Sequence, residues 1–525
     1  MVSSSTGVPL PPPYRGQNDQ YPVFSIQSPF CEQLENFNNK GGTLNLRKGN
    51  DRFSIITNAN IGPLWIDTYN DNSPALFMLV DWPGELRWYD VTTAVPALVH
   101  TVATGSGDDE IATLFFNNYL FWFGEGELNP TNNGPVYYNG TAWGNAGYVW
   151  PGAMVPMGGC VHKNRAYFID RQSARYGFTE IDAISGNVTQ VDLSSVINAR
   201  AYLYVVASFS MSENVTQENV LAFAFSNGHV LVYGGSYPNG SDWGLIAQFG
   251  ISKPLKINSV IYAKGDAFII TRTEILSLRN LLAGGYSRER QEGFGATIRN
   301  RLSQIITALI ANSAQNINWI KGIYDEKNDR LVISFPYYVD RDGGVDSPSS
   351  SHTLFQLIYD FTLGSWYEYW QDSNGVSSVN VSACYHDSEV CVLNRESGKG
   401  VVVKADSLTT HLDDDPDGTG TLEINYKLKS APIPLNKFGV MKVEGVEVIA
   451  EAGASTSLQL SLIRDLGAEQ TPIQQVVVST TTEKLFFDVG IEGNVVQYEV
   501  SGAMDTSLSI MAINAWVTAS QGVGR

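Results

Sequence analysis

The stretch that most constrains the fold runs from Asn316 to Trp370. Residues 319–324, 330–336, 354–360 and 365–369 are four short runs rich in β-branched and aromatic side chains. Polar connections part them: an Asp/Asn/Lys turn at 325–329, a long loop with Asp-Gly-Gly at 342–344 and serines at 347–351, and a tight Thr-Leu-Gly turn at 362–364. Four consecutive antiparallel strands make one blade of a β-propeller, and a blade buries its faces only against neighbouring blades. A chain that contains one must therefore repeat it.

Strand-like runs recur from Gly41 to about residue 280, and local echoes support repetition. LRWYDVT at 86–92 matches QLIYDFT at 356–362, and NGTAWG at 139–144 matches NGSDWG at 239–244, with LGSW at 363–366 as a shorter form. In each, a Gly supplies the turn and a Trp opens the next strand, where the indole can fill the space between blades. The expectation is an all-β fold: a β-propeller of about six blades, with seven as the alternative, over residues 41–404. Trp143, Trp243 and Trp366 are expected between blades. One helix interrupts the pattern, since Ile298, Leu302, Ile305, Ile306, Leu309 and Ile310 form an apolar stripe over 297–312. The basic cluster Arg279, Arg288, Arg290, Arg299 and Arg301 around it reads either as a solvated face with local ion pairs or as a contact with an acidic partner.

The two ends differ from this middle. Residues 1–40 are rich in Pro, Asn and Gln and are expected as an extended arm that lies on another surface, or as a loose terminus. Residues 405–420 hold the run Asp413-Asp-Asp-Pro-Asp-Gly418 and read as an acidic linker. Seven further strand-like runs over 421–525 predict a C-terminal β-sandwich-like domain.

Charge narrows the partners. With 53 acidic against 34 basic residues the net charge is −19, which gives little overall attraction for nucleic acid or an anionic membrane surface. No apolar run approaches the roughly 18 residues that span a bilayer. The N-terminal residues lack a basic region followed by an apolar core, so a Sec signal is not expected.

Candidate chemistry is thin. Asp413, Asp415 and Asp417 before Gly418 resemble the start of a calcium loop, but position twelve is Ile424 and Glu423 falls one place short. Cys384, His386 and Cys391 are three possible metal ligands with no evident fourth, unless Cys160 or His162 supplies it from afar. Buried structural thiols are the competing assignment. Ser236 to Trp243 resembles an Asp-box turn with Pro238 at the Asp position. The sequence holds no G-x-S-x-G elbow, no Walker A loop and no H-E-x-x-H. No catalytic, cofactor-binding or metal site is assigned, and the chain is not expected to be an enzyme.

The blade at 319–369, with its Asp-x-x-x-Asp-Arg turn, Ile-Ser-Phe-Pro and Tyr-Asp-Phe-Thr-x-Gly-Ser-Trp, resembles the nozzle proteins of short-tailed bacteriophages, also called tail hub or tail tubular protein B proteins. The preceding helix, the early Leu46-Arg-Lys-Gly49 turn and the all-β C-terminal part follow in the same order. The resemblance implies a structural virion protein made in the host cytoplasm. Six copies would form the distal tail tube below the adaptor ring, through which the genome leaves without specific binding. The loop at 339–352 and the acidic run at 413–417 have no role in that pattern. The rival expectation is a carbohydrate-binding or glycoside-cleaving propeller. Its exposed aromatics would come from Tyr337, Tyr338, Trp366, Tyr367, Tyr369 and Trp370.

Overall fold

Strands rich in Val, Ile, Phe, Tyr and Trp, cut by Gly- and Asn-bearing turns, are what the computed structural model contains throughout. It describes residues 6–519 except 11–16, 18–30, 41–42, 58–61, 71–73, 83–84, 104–110, 125–134, 153, 198–199, 212–217, 257, 285–294, 313–317, 319, 337–351, 373–377, 397–398, 408–411, 415–420, 435–440, 466–468, 471–473, 479 and 494. The chain divides into two compact units, one of residues 53–350 and 377–403, the other of 1–52, 351–376 and 404–525.

The first unit is a β-propeller. Six of its antiparallel sheets begin with the strands Gly62–Tyr69, Ile111–Phe116, Pro156–His162, Leu203–Ser210, Val260–Ala263 and Ser378–His386, and the hairpin Lys321–Asp325/Arg330–Ser334 adds a seventh. Contacts run from each blade to the next and from the last back to the first, in a closed cycle. The described residues thus form seven blades, one more than the lower of the two expected numbers. Five blades have four strands and the one from Val260 has three. The ring closes where Asp51–Thr57, from early in the chain, adds as the fourth strand beyond Lys399–Ala405.

Its core lies between blades. Trp65, Phe77, Leu79 and Trp88 of the first blade pack against Leu120, Trp122 and Val136 of the second. The same holds from second to third, third to fourth, fourth to fifth, and across the closure, where Ile66, Met78 and Val80 meet Val381, Cys391 and Val402. Close approach of backbones is enforced at Gly159, where a Cβ would fall 1.7 Å from the Tyr167 carbonyl oxygen. Trp143 packs against the core of blades one and two, stacked on His100 at 5.1 Å. Trp243 stacks on Tyr233 at 5.3 Å, against the core of blades three and four. Of the echoed turns, Gly140 and Gly364 use positive φ (+90° and +63°), whereas Gly240 does not. The expected helix is present as a 3-10 turn Ala296–Ile298 running into Arg299–Asn312, with Ile298, Leu302, Ile305, Ile306 and Leu309 buried.

The second unit is made of two sheets. One orders Phe37–Lys40, Thr43–Leu46, Leu508–Ala519, Met441–Ala452 and Glu483–Gly493, and Thr6–Leu10 pairs with Leu508–Ala519. The other takes in Ser365–Asp372, Cys31–Glu35, Thr421–Ser430, Val495–Met504 and Thr456–Arg464. Alternating burial along Thr421–Ser430 and Met441–Ala452 marks one covered face on each, as in a sandwich. Phe37 of the first sheet meets Tyr426 of the second edge-on at 5.4 Å.

The hairpin His352–Asp360/Ser365–Asp372, read as the second half of a blade, follows Lys321–Asp325/Arg330–Ser334 in one sheet in the expected order, and Ser365–Asp372 then lies parallel to Cys31–Glu35. Trp366 is buried, with its ring 4.9 Å from that of Tyr359. The segment expected as an acidic linker contains a strand, Leu412–Asp414, paired with Thr421–Ser430.

Candidate functional site in the propeller axis

Residues from the first strands of all seven blades line one space at the axis. That space is a cavity of about 470 Å³, lined among others by Asp67, Thr113, Asn258, Tyr262, Lys321, Glu326 and Tyr385. Asp67 Oδ1 accepts from the Thr68 amide at 2.8 Å, and Oδ2 accepts from the Thr113 hydroxyl. Asn258 Nδ2 donates to the carbonyls of Ile111 (2.9 Å) and Asn318 (3.2 Å). Lys321 lays its ammonium over the Trp65 indole, 4.1 Å from the ring centroid. Burial lowers the Lys321 pKa, and Asp67 acts against that shift. Tyr324 donates to Asp329 at 2.8 Å, and Tyr385 accepts from the Lys327 amide at 3.0 Å.

Such a site can hold a small polar molecule. It presents one cation, two carboxylates and several hydroxyls.

None of these residues stood out in the sequence. A faint signal existed at Lys321, a charged residue in the otherwise apolar and aromatic run Trp319 to Tyr324.

The residues singled out from sequence lie elsewhere or are already engaged. Asp413, read as the first calcium ligand, is buried and takes both terminal nitrogens of Arg47, at 2.7 and 2.5 Å, plus the Asn50 amide at 2.8 Å. Arg47 also donates to Asn36 Oδ1, Lys48 O and Trp370 O, so all five guanidinium hydrogens have acceptors. Its pKa is raised although burial, the largest single influence, pulls it down, because Asp413 together with Asp406 and Tyr369 outweighs it. Asp415 and Asp417 lie outside the described residues.

Cys384 and Cys391 sit opposite each other in adjacent strands, both buried, and His386 Nδ1 lies 2.8 Å from Thr68 Oγ1. Cys160 and His162 lie in the third blade, with His162 Nδ1 2.8 Å from Ser208 Oγ. Among the described residues no group of three His, Cys, Asp or Glu is placed to hold a metal ion.

In the Asp-box-like turn, Asp242 does the capping, its Oδ2 accepting from the amide and hydroxyl of Ser236 at 2.8 and 2.6 Å. Trp366, Tyr367, Tyr369 and Trp370 are each about 1 % exposed, so they offer no aromatic platform to a glycan; Tyr337 and Tyr338 lie outside the described residues. Arg279 is buried and bonded to Ser210 O and Lys264 O. Arg299 pairs with Glu274 at 2.8 Å and Arg301 is buried, which removes both from an exposed basic face; Arg288 and Arg290 lie outside the described residues.

No family model matches the chain, and no curated protein does. Among solved structures, Sqt1 of Saccharomyces cerevisiae is similar at 10 % identity over 68 % of this chain and 99 % of its own, with a TM-score of 0.37. YCF48 bound to D1 peptide aligns at 11 % identity over 67 % and 95 %, with a TM-score of 0.36. The exo-β-1,3-galactanase of Phanerochaete chrysosporium aligns at 10 % over 77 % and 95 %, with a TM-score of 0.25. With scores this low, the propeller assignment rests on the seven sheets and their closed cycle of neighbours.

Proposed function

We propose that this chain is a structural protein of a short-tailed bacteriophage, a nozzle subunit of the distal tail tube through which DNA is ejected. The observation that carries the reading is the order of parts along one chain. The Leu46-Arg-Lys-Gly49 turn comes first, then the propeller with its helix Arg299–Asn312, then the C-terminal strands from Thr421–Ser430 to Leu508–Ala519. That order is the one in which the sequence resembles nozzle proteins. The net charge of −19 fits a wall that phosphates pass without binding, since like charges repel within a Debye length of ~8–10 Å. In this reading six copies form a ring that docks on the tail adaptor, and no catalytic step is assigned.

Peptide mass spectrometry of purified particles, with cryo-electron microscopy of their tails, tests it. The expected result is the chain in the virion as six-fold density at the distal tail. Its absence from particles, or a five- or twelve-fold ring, would overturn it.

The axial cavity is the one observation that favours the second reading, a glycan-binding or glycan-cleaving propeller. Release of sugars from host surface polysaccharide by the purified chain would decide for cleavage.

A further inference from the structure

The hydrogen-bonding groups around the axial cavity are unevenly committed. The Lys321 ammonium rests on the Trp65 face and has no hydrogen bond or ion pair among the described residues. A desolvated cation in that state is stabilised by any anion that reaches it. The carboxylate of Asp67 accepts one bond at each oxygen and keeps a lone pair on each. Asn258 uses both Nδ2 hydrogens on backbone carbonyls, which leaves its Oδ1 as an open acceptor. The cavity therefore offers one cationic donor and several acceptors, and its complement is a molecule with one anionic group and several hydroxyls.

Two further facts narrow the class. Asp67 and Glu326 against Lys321 make the formal charge of the lining −1, which disfavours a multiply charged anion such as a phosphate ester. The volume of about 470 Å³ lies in the range of small-molecule sites.

We propose that the axial cavity binds a small hydroxylated carboxylate of the sugar-acid class, with its carboxylate on Lys321 and its hydroxyls on Asp67 and Asn258. This goes beyond the nozzle assignment and does not depend on it.

The test is calorimetric titration of the full chain at neutral pH with D-glucuronate, and with D-glucose and acetate as controls. Saturable binding of glucuronate is expected, with glucose and acetate each at least about tenfold weaker, a difference of ~1.4 kcal/mol. Lys321→Met should weaken glucuronate by a similar factor, and Lys321→Arg should retain most of the affinity. A footprint on the unaltered protein runs alongside, so that the test does not depend on how a variant at this position folds. Acetylation of Lys321 by acetic anhydride, read by mass spectrometry, should fall several-fold when glucuronate is present. No saturable binding, equal binding by Lys321→Met, or unchanged acetylation of Lys321 would each overturn the proposal. Equal binding of acetate would remove the hydroxyl contacts from it.

Discussion

A protonated imidazole would be cut off from water at His162, which is 1 % exposed, with Nδ1 beside Ser208 Oγ and Nε2 3.4 Å from the Gly235 carbonyl. Burial pulls its pKa from 6.5 down to about 4, more than the Gly235 carbonyl restores. The unfolded chain thus binds the extra proton between pH 6.5 and 4 while the folded chain does not, so stability rises with pH across that window. It is full above about pH 6.5 and lower by about 3 kcal/mol below pH 4. Urea denaturation of His162→Gln should show a smaller loss between pH 7 and 4 than the parent; an unchanged loss would assign the acid sensitivity to other groups. At Arg47 the physics is that of a fully buried pair. Asp413→Ala strands a guanidinium that now has an acceptor for every hydrogen, and a cost of roughly 3–5 kcal/mol is expected in the same assay. The sequence placed Asp413 in a solvated acidic run because its partner lies 366 residues away, a separation that no local pattern reveals.

Strands and helix were legible because their signals are local. The Ile/Leu stripe of 297–312 gave the helix to within a residue or two of Arg299–Asn312, and β-branched runs gave the inner strands. Of the three echoed Trp residues, Trp143 and Trp243 pack in seams between blades. Trp143 touches Phe77 at 5.1 Å and Trp88 at 5.5 Å, which places it in the seam between blades one and two. Trp143→Ala should cost roughly 2–4 kcal/mol, somewhat less than a fully buried Trp because this one is half-buried, and the denaturation midpoint should fall with an unchanged slope. A neutral result would place the seam's stability in Trp88 and Trp122 alone. Ser365–Asp372, which carries the third Trp, also has Cys31–Glu35 as a neighbour, a pairing too far apart in sequence for any local pattern to reveal. The axial site was illegible for a related reason: Asp67, Asn258 and Lys321 come from three different blades and share no spacing.

At the scale of the whole molecule, the sequence suggested consecutive domains, a propeller ending at 404 and a sandwich starting at 421. The second unit is instead threaded from the start, the middle and the end of the chain. Cys31–Glu35 pairs with Thr421–Ser430, and Thr43–Leu46 and Thr6–Leu10 both pair with Leu508–Ala519. Leu34, Phe37 and Leu44, each at most 2 % exposed, are covered in a unit that cannot form until the last strand has been made. Non-local pairing of this kind makes folding slow and leaves apolar strand edges open meanwhile. A chain ending at residue 404, the boundary that sequence alone recommends, would keep those open edges permanently and should aggregate. The full chain should elute as a discrete species and unfold cooperatively. Size-exclusion chromatography and a urea titration of residues 1–404 beside the full chain make the comparison. If the shortened chain ran as a sharp, cooperatively unfolding monomer, the pairings to Thr421–Ser430 and Leu508–Ala519 would not be what keeps the N-terminal strands folded.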